Sequence, residues 1–194
     1  EVLGENLDIY EEILLRASHF GAQVVVYPEF GLNPIDGMNR SSLAEVAEYI
    51  PESGDRFCPK TNPILYRMGA AAKAHKTPVL INMVDKVLCA SSDPSCPDDG
   101  FYLYNTDVVF DEDGELAARY HKTNEWPGLK PPYDNVAEGE YVTWTSSFGV
   151  EFGIFTCFDI FWQSPAVDYI DNGVRHFLYP VKQGELGEST VISQ

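Results

Sequence analysis

Glu29, Lys122 and Cys157 lie far apart along the chain, yet each stands just past a strand-like run: 24–27, 116–120 and 152–155 respectively. Side chains placed where a strand meets irregular chain can reach a ligand gathered at a sheet edge. An acid, an amine and a thiol meeting there suit one chemistry. A thiolate attacks an amide or nitrile carbon through a tetrahedral intermediate to a thioester. A neighbouring carboxylate takes the thiol proton and later activates water. An ammonium group, with the backbone amide of Phe158, stabilises the oxyanion. Each residue also has an ordinary reading. Cys157 is equally an inert buried thiol, Glu29 a solvated turn carboxylate and Lys122 a solvated cation. If the three strands are neighbours in one sheet, the side chains converge at its edge. His19 falls in a helix and His75 at a helix end; His121 alternates with Lys122, so only one of those two faces that edge.

The elements that must hold these residues follow from periodicity. Residues 6–21 carry Leu7, Tyr10, Leu14 and Ala17 at helical spacing and end at Gly21. Residues 24–27 read as a buried strand covered on both faces. Residues 31–60 form a surface excursion with one helical stretch at 42–49, and a second helix runs from about Asn62 to His75. A strand follows at 79–84, in which Asn82 is either a core amide with partners or a site residue. Alternation over 102–110, the turn Asp111-Glu112-Asp113-Gly114 and the return arm 116–120 describe an antiparallel hairpin. A proline-rich loop covers 123–140, then come strands at 141–145, 152–155 and 176–179. Ser164-Pro165 reads as an N-cap and first helical turn for a helix over 165–170. Helices alternating with apolar strands give an α/β fold.

With 194 residues, the chain is long enough for one domain with a sizeable core. A formal net charge of −17 opposes nucleic acid and anionic membranes as partners. The first residue, Glu1, is not Met, so a processed or trimmed product is expected. Cys89 and Cys96 bracket a polar loop of six residues, a spacing that suits a disulfide better than a metal knuckle, and no nearby histidine completes a metal site. That pair and the glycosylation sequon at Asn39 point to an oxidising, extracellular setting.

Three segments carry a resemblance. Tyr27-Pro28-Glu29, Arg119-Tyr120-His121-Lys122 and Gly153-Ile154-Phe155-Thr156-Cys157-Phe158-Asp159-Ile160 resemble the signature segments of the nitrilase superfamily of carbon-nitrogen hydrolases. The cysteine loop, 104–110 and 164–167 are similar to its vanin (pantetheinase) and biotinidase branch. The resemblance implies an αββα sandwich of mixed sheets covered by helices, incomplete in this chain, over residues 1–181, with 182–194 an unassigned tail. It implies Glu29 as general base, Lys122 as oxyanion-stabilising residue and Cys157 as nucleophile, without metal or organic cofactor. It also implies a secreted or lipid-anchored glycoprotein that splits pantetheine into pantothenate and cysteamine, or hydrolyses biotin amides, and that associates with other chains.

Two departures stand against that pattern. The family commonly has a second glutamate a few residues past the lysine; here Lys130 falls at that place, and Glu125 is the candidate substitute. The family's first strand would precede Glu1, and the segments that follow its last matched strand do not appear after Pro180. A non-catalytic relative that keeps the fold for binding is the competing reading.

Overall fold

The computed structural model describes residues 2–33, 35, 37–51, 57–126 and 132–182. The tail expected at 182–194, beyond its first residue, and Lys130 lie outside these residues.

Helix α1 spans Val2–His19, four residues earlier than its periodicity suggests. Leu3 packs against the core, and the Asn6 amide donates to Leu32 O at 3.0 Å from inside the helix. The helix stops where Gly21 turns left-handed (φ 80°), with Ala22 N–H donating to Ala17 O at 3.0 Å. Strand β1 is only Val25–Val26, and α2 is Arg40–Val46, begun by the Asn39 side chain accepting from Ser42 N–H. Helix α3 is Pro63–His75.

Strands β2 (Val79–Leu88), β3 (Phe101–Phe110) and β4 (Leu116–His121) complete a first sheet in the order β1-β2-β3-β4. Strand β2 runs four residues beyond 84, because Asp85 and Lys86 keep strand pairing with Tyr104 and Leu103 despite their polarity. The cysteine loop is therefore the connection of a β2–β3 hairpin, and the Cys89–Cys96 disulfide closes it. A covered β1 was expected; instead it is an edge strand with Val26 exposed, since β2 is its one partner among the described residues.

Alternation sorts the first sheet's two faces. Val79, Ile81 and Met83 of β2, Val108 and Phe110 of β3 and Leu116 of β4 pack with Leu7, Leu14, Leu65 and Met68 of α1 and α3. Leu80, Val109, Ala118 and Tyr120 face the other way, into a second cluster with Trp144, Ile154, Tyr169 and Leu178. That cluster joins a second sheet of β5 (Thr143–Thr145), β6 (Glu151–Ile154) and β7 (His176–Leu178). The helical stretch ending in α4 (Asp168–Asp171) covers this sheet's outer face. Gly153 permits that cover: a Cβ there would stand 2.9 Å from the Tyr169 ring. The layers are helix, sheet, sheet, helix.

The helix expected over 165–170 is broken. Cys157–Phe161 forms a 3-10 turn, Ser164 is extended (φ −102°, ψ 128°) before a cis bond to Pro165, and regular α-helix begins only at Asp168. Among the described residues no helix is long and apolar enough to cross a membrane.

Candidate active site

Glu29, Lys122 and Cys157 do come together, but by a different route from one shared sheet. Strands β1 and β4 are opposite edges of the first sheet, and β6 belongs to the second. The three side chains meet because the two sheets face each other, so the loops after β1, β4 and β6 open on one end of the sandwich.

Glu29 follows β1 by three residues and is buried. Its Oε1 accepts from Lys122 Nζ and Asn105 Nδ2, both at 2.8 Å, and its Oε2 accepts from Lys182 N–H at 3.1 Å. Phe30 is left-handed (φ 54°) and its N–H donates to Asn82 Oδ1 at 2.9 Å, which pins the turn carrying the glutamate. Lys122 leaves β4 with its N–H on Asn105 O at 2.9 Å. Its Nζ also lies 3.2 Å from Glu125 Oε2, which accepts from Tyr133 OH at 2.9 Å.

Cys157 opens the 3-10 turn at φ 45°, a conformation that costs a non-glycine residue about 1–3 kcal/mol and persists only where surroundings impose it. Here its N–H is held by Pro180 O at 3.0 Å and its C=O by Tyr179 OH at 2.8 Å. Thr156 and Asp159 brace the same turn by a reciprocal cap, Thr156 N–H donating to Asp159 Oδ2 at 3.0 Å. The half-buried thiol donates to Lys182 O at 4.0 Å and lies near enough to Glu29 and Lys122 to feel both charges. Phe158 N–H stands in the first turn, where helical amides lack an intrahelical acceptor. The Phe158 ring meets Trp126, Phe161 and Trp162, an aromatic rim beside the thiol.

Burial and then the Glu29 charge push the Cys157 thiol up to about 11, although Lys122 opposes them. The thiol is thus neutral at rest. Burial alone would lower the Lys122 pKa, but the Glu125 and Glu29 carboxylates outweigh it and hold the group well above its ordinary range. Burial raises Glu125 to about 7 against the pull of Lys122.

Behind the site runs a buried polar chain. Asn82 Nδ2 donates to Asn105 Oδ1 at 2.7 Å and to Asp107 Oδ1 at 2.8 Å, and Thr156 Oγ1 donates to Asp107 Oδ2 at 2.6 Å. Asn82 is accordingly a core amide with partners, and the chain links the glutamate's neighbour Asn105 to the residue preceding the cysteine. Burial lifts Asp107 to about 7. Asp159 also accepts from Tyr120 OH at 2.8 Å and Asn124 N–H at 2.7 Å. Asn105, Asp107 and Asp159 were not singled out from the sequence. For Asn105 and Asp107 the signal was there: polar residues inside a strand that runs on into the apolar Val108-Val109-Phe110. His121, the rival of Lys122, turns away to Asp85 and Glu140. Asn39 is exposed, and its side-chain oxygen caps α2. Among the described residues no group of three or more His, Cys, Asp or Glu side chains is arranged to hold a metal ion.

In solved structures the same fold recurs. A carbon-nitrogen hydrolase from Helicobacter pylori superposes with a TM-score of 0.72 at 16% identity, over 98% of this chain and 59% of that one. An amidase from Nesterenkonia sp. superposes with a TM-score of 0.65 at 20% identity, over 95% and 61%. Among curated proteins, a human pantetheinase is 41% identical over 190 residues, covering 92% of this chain and 36% of its own length. A bovine pantetheinase is 40% identical over 187 residues, with the same coverage. A biotinidase from Takifugu rubripes is 36% identical over 188 residues, 92% of this chain and 37% of its own. The chain thus spans little more than a third of the length of these relatives. The profile of the carbon-nitrogen hydrolase family matches residues 2–191, essentially from end to end, and the chain belongs to that family.

Proposed function

We propose that this chain carries the catalytic site of a thiol amidohydrolase that cleaves a linear amide, with pantetheine as substrate and pantothenate and cysteamine as products. The observation that carries the reading is the buried Lys122–Glu29 bond of 2.8 Å beside a half-buried thiol on which both charges act. In the reaction, Glu29 takes the Cys157 proton as sulfur bonds to the amide carbon. The carbonyl electron pair moves onto oxygen, where the Lys122 ammonium and the Phe158 N–H meet the charge. Collapse breaks the C–N bond, the amine leaves with the proton held by Glu29, and a thioester remains. Water then attacks with Glu29 again as base, releasing the acid and the thiol. Glu125, at 3.2 Å from Lys122 Nζ, orients that lysine in place of the family's second glutamate.

Identities of 38–41% to proteins named pantetheinase, against 34–36% to proteins named biotinidase, favour pantetheine over a biotin amide. The Cys89–Cys96 disulfide supports secretion into an oxidising compartment, with a glycan on Asn39 and a lipid anchor or partner chains supplied by the full-length protein. The test is turnover by the full-length protein: wild type releases cysteamine from pantetheine, and Cys157→Ala abolishes the release. Turnover of a biotin amide in its place would move the assignment to the biotinidase type. A folded wild type that cleaves neither amide defeats the amidohydrolase reading and leaves a binding role.

A further inference from the structure

His121 directly precedes Lys122, yet its side chain takes no part in the chemistry above. It is fastened at three points. Nδ1 lies 2.7 Å from Glu140 Oε1, Nε2 lies 3.0 Å from Asp85 Oδ2, and its backbone N–H donates to Glu140 Oε2 at 2.9 Å. A carboxylate at each ring nitrogen requires a donor at each, and only the imidazolium has two. A neutral ring would turn one lone pair onto a carboxylate.

The surroundings fit a cation. Asp85 of β2 is fully buried, and its other oxygen accepts from Ile50 N–H at 2.9 Å. From β3, the Tyr104 ring approaches the imidazole to 4.7 Å between centroids. From β4, Arg119 reaches Asp85 at 3.8 Å while donating to Ile50 O at 2.8 Å. Tyr49, Glu138 and Glu140 complete the ring of titratable groups, lining with His121 a cavity of about 410 Å³ through which solvent can exchange the proton. Burial alone would lower the pKa of His121, but its bonds to Asp85 and Glu140 outweigh that and raise it.

The clamp has a mechanical consequence. It ties the last residue of β4 to β2 on one side and to Glu140 on the other. Lys122 is the next residue, and Glu140 closes the loop that carries Glu125 and Tyr133. Displacements of about 1 Å at catalytic groups cost on the order of a hundredfold in rate.

We propose that the His121 imidazolium, bridged between Asp85 and Glu140, is a positioning residue that fixes Lys122 and the Glu125 loop, and that deprotonation releases this lock. The inference rests on the amidohydrolase reading for its effect on rate, but not for its effect on structure.

The test uses the full-length protein with labelled histidine and lysine. In wild type, NMR finds both His121 ring nitrogens protonated at pH 6.5 and above, where a free imidazole has lost half its charge. Glu140→Gln lowers that titration by about one unit or more. The alkaline limb of kcat moves down by the same interval, about tenfold in rate between the two midpoints, with KM unchanged at low pH. Glu140→Asp restores the wild-type profile. A merely structural histidine would lower Tm without moving the limb. A neutral ring at pH 6.5 in wild type overturns the proposal, and this arm decides even if the variants do not fold. So does a limb that stays put while the imidazole titration shifts. If wild type shows no turnover, the amidohydrolase reading fails separately. The Lys122 ammonium resonance then decides: it follows the His121 titration, or the positioning inference fails too.

Discussion

Replacing Glu29 by Gln separates two roles of that carboxylate, because they push in opposite directions. With the thiol at about 11, only about one molecule in 10⁴ carries a thiolate at pH 7, since 11 − 7 = 4. Part of that elevation is the negative charge of Glu29 itself, and Lys122 works against it. Removing the charge leaves the ammonium less opposed, which should lower the thiol pKa by about one unit and raise the thiolate fraction about tenfold. If Glu29 only supplied charge, the variant would be the better enzyme. If Glu29 is the base that accepts the thiol proton and hands it to the leaving amine, turnover should fall by about 10²–10⁴. The expected outcome is therefore a divergence: alkylation of Cys157 by iodoacetamide at pH 7 speeds up, while amide turnover collapses. Folding needs a check, because breaking a buried ion pair costs about 3–5 kcal/mol when the partner is left alone. Glu125 at 3.2 Å still accompanies Lys122, so a folded variant is expected, and its Tm shows whether it is. Turnover within threefold of wild type, or turnover rising in step with alkylation, refutes the general-base role.

Three other predictions concern the frame around this site. Gly153→Ala drives a methyl to 2.9 Å from the Tyr169 ring and should cost about 1–3 kcal/mol; an unchanged denaturation midpoint would show that α4 is not seated on β6 as described. Glu125 titrates near 7 when folded and near 4.3 when unfolded, so its contribution to stability is complete below about pH 4 and is lost as pH rises through 7. Glu125→Gln should therefore flatten the fall in Tm between pH 5 and 8, by on the order of 1–3 kcal/mol, and an identical slope in the variant counts against the burial of this carboxyl. Reduction of Cys89–Cys96, which closes an eight-residue loop, should cost about 2.5 kcal/mol and lower Tm by about 5–10 °C. A reduced protein melting within 1 °C of the oxidised one shows that the loop is held by other contacts.

The strand-end positions of Glu29, Lys122 and Cys157 were readable because polar, reactive side chains directly after strands are conspicuous. Amphipathic spacing made α1 and α3 legible, and the turn at 111–114 made the β3–β4 hairpin so. Local pattern and tertiary context disagree at three places. Strand β2 was cut short at its first charged residues, since nothing local says that Asp85 will find His121 and a backbone amide. Val26 was read as buried because β-branched residues suit a core, and no local feature says whether a neighbouring strand exists. The helix after Ser164-Pro165 was placed on a good local signal, but the chain first has to turn back from the bend at Cys157.

Residue identity alone suggested the chemistry, because a thiol, a carboxylate and an amine stand at strand ends, with the His121 imidazole as the one rival beside the amine. The periodicity of apolar residues also determined the class of fold, since each element's buried face had to find a partner. Tertiary structure decided that the trio meets across two facing sheets rather than along one. It decided which imidazole faces away and which aspartate and asparagines brace the site from behind. Those outcomes depend on partners 19 to 153 residues distant, such as His121 to Glu140 and Lys182 to Glu29, and no short window of sequence contains both ends of such a bond.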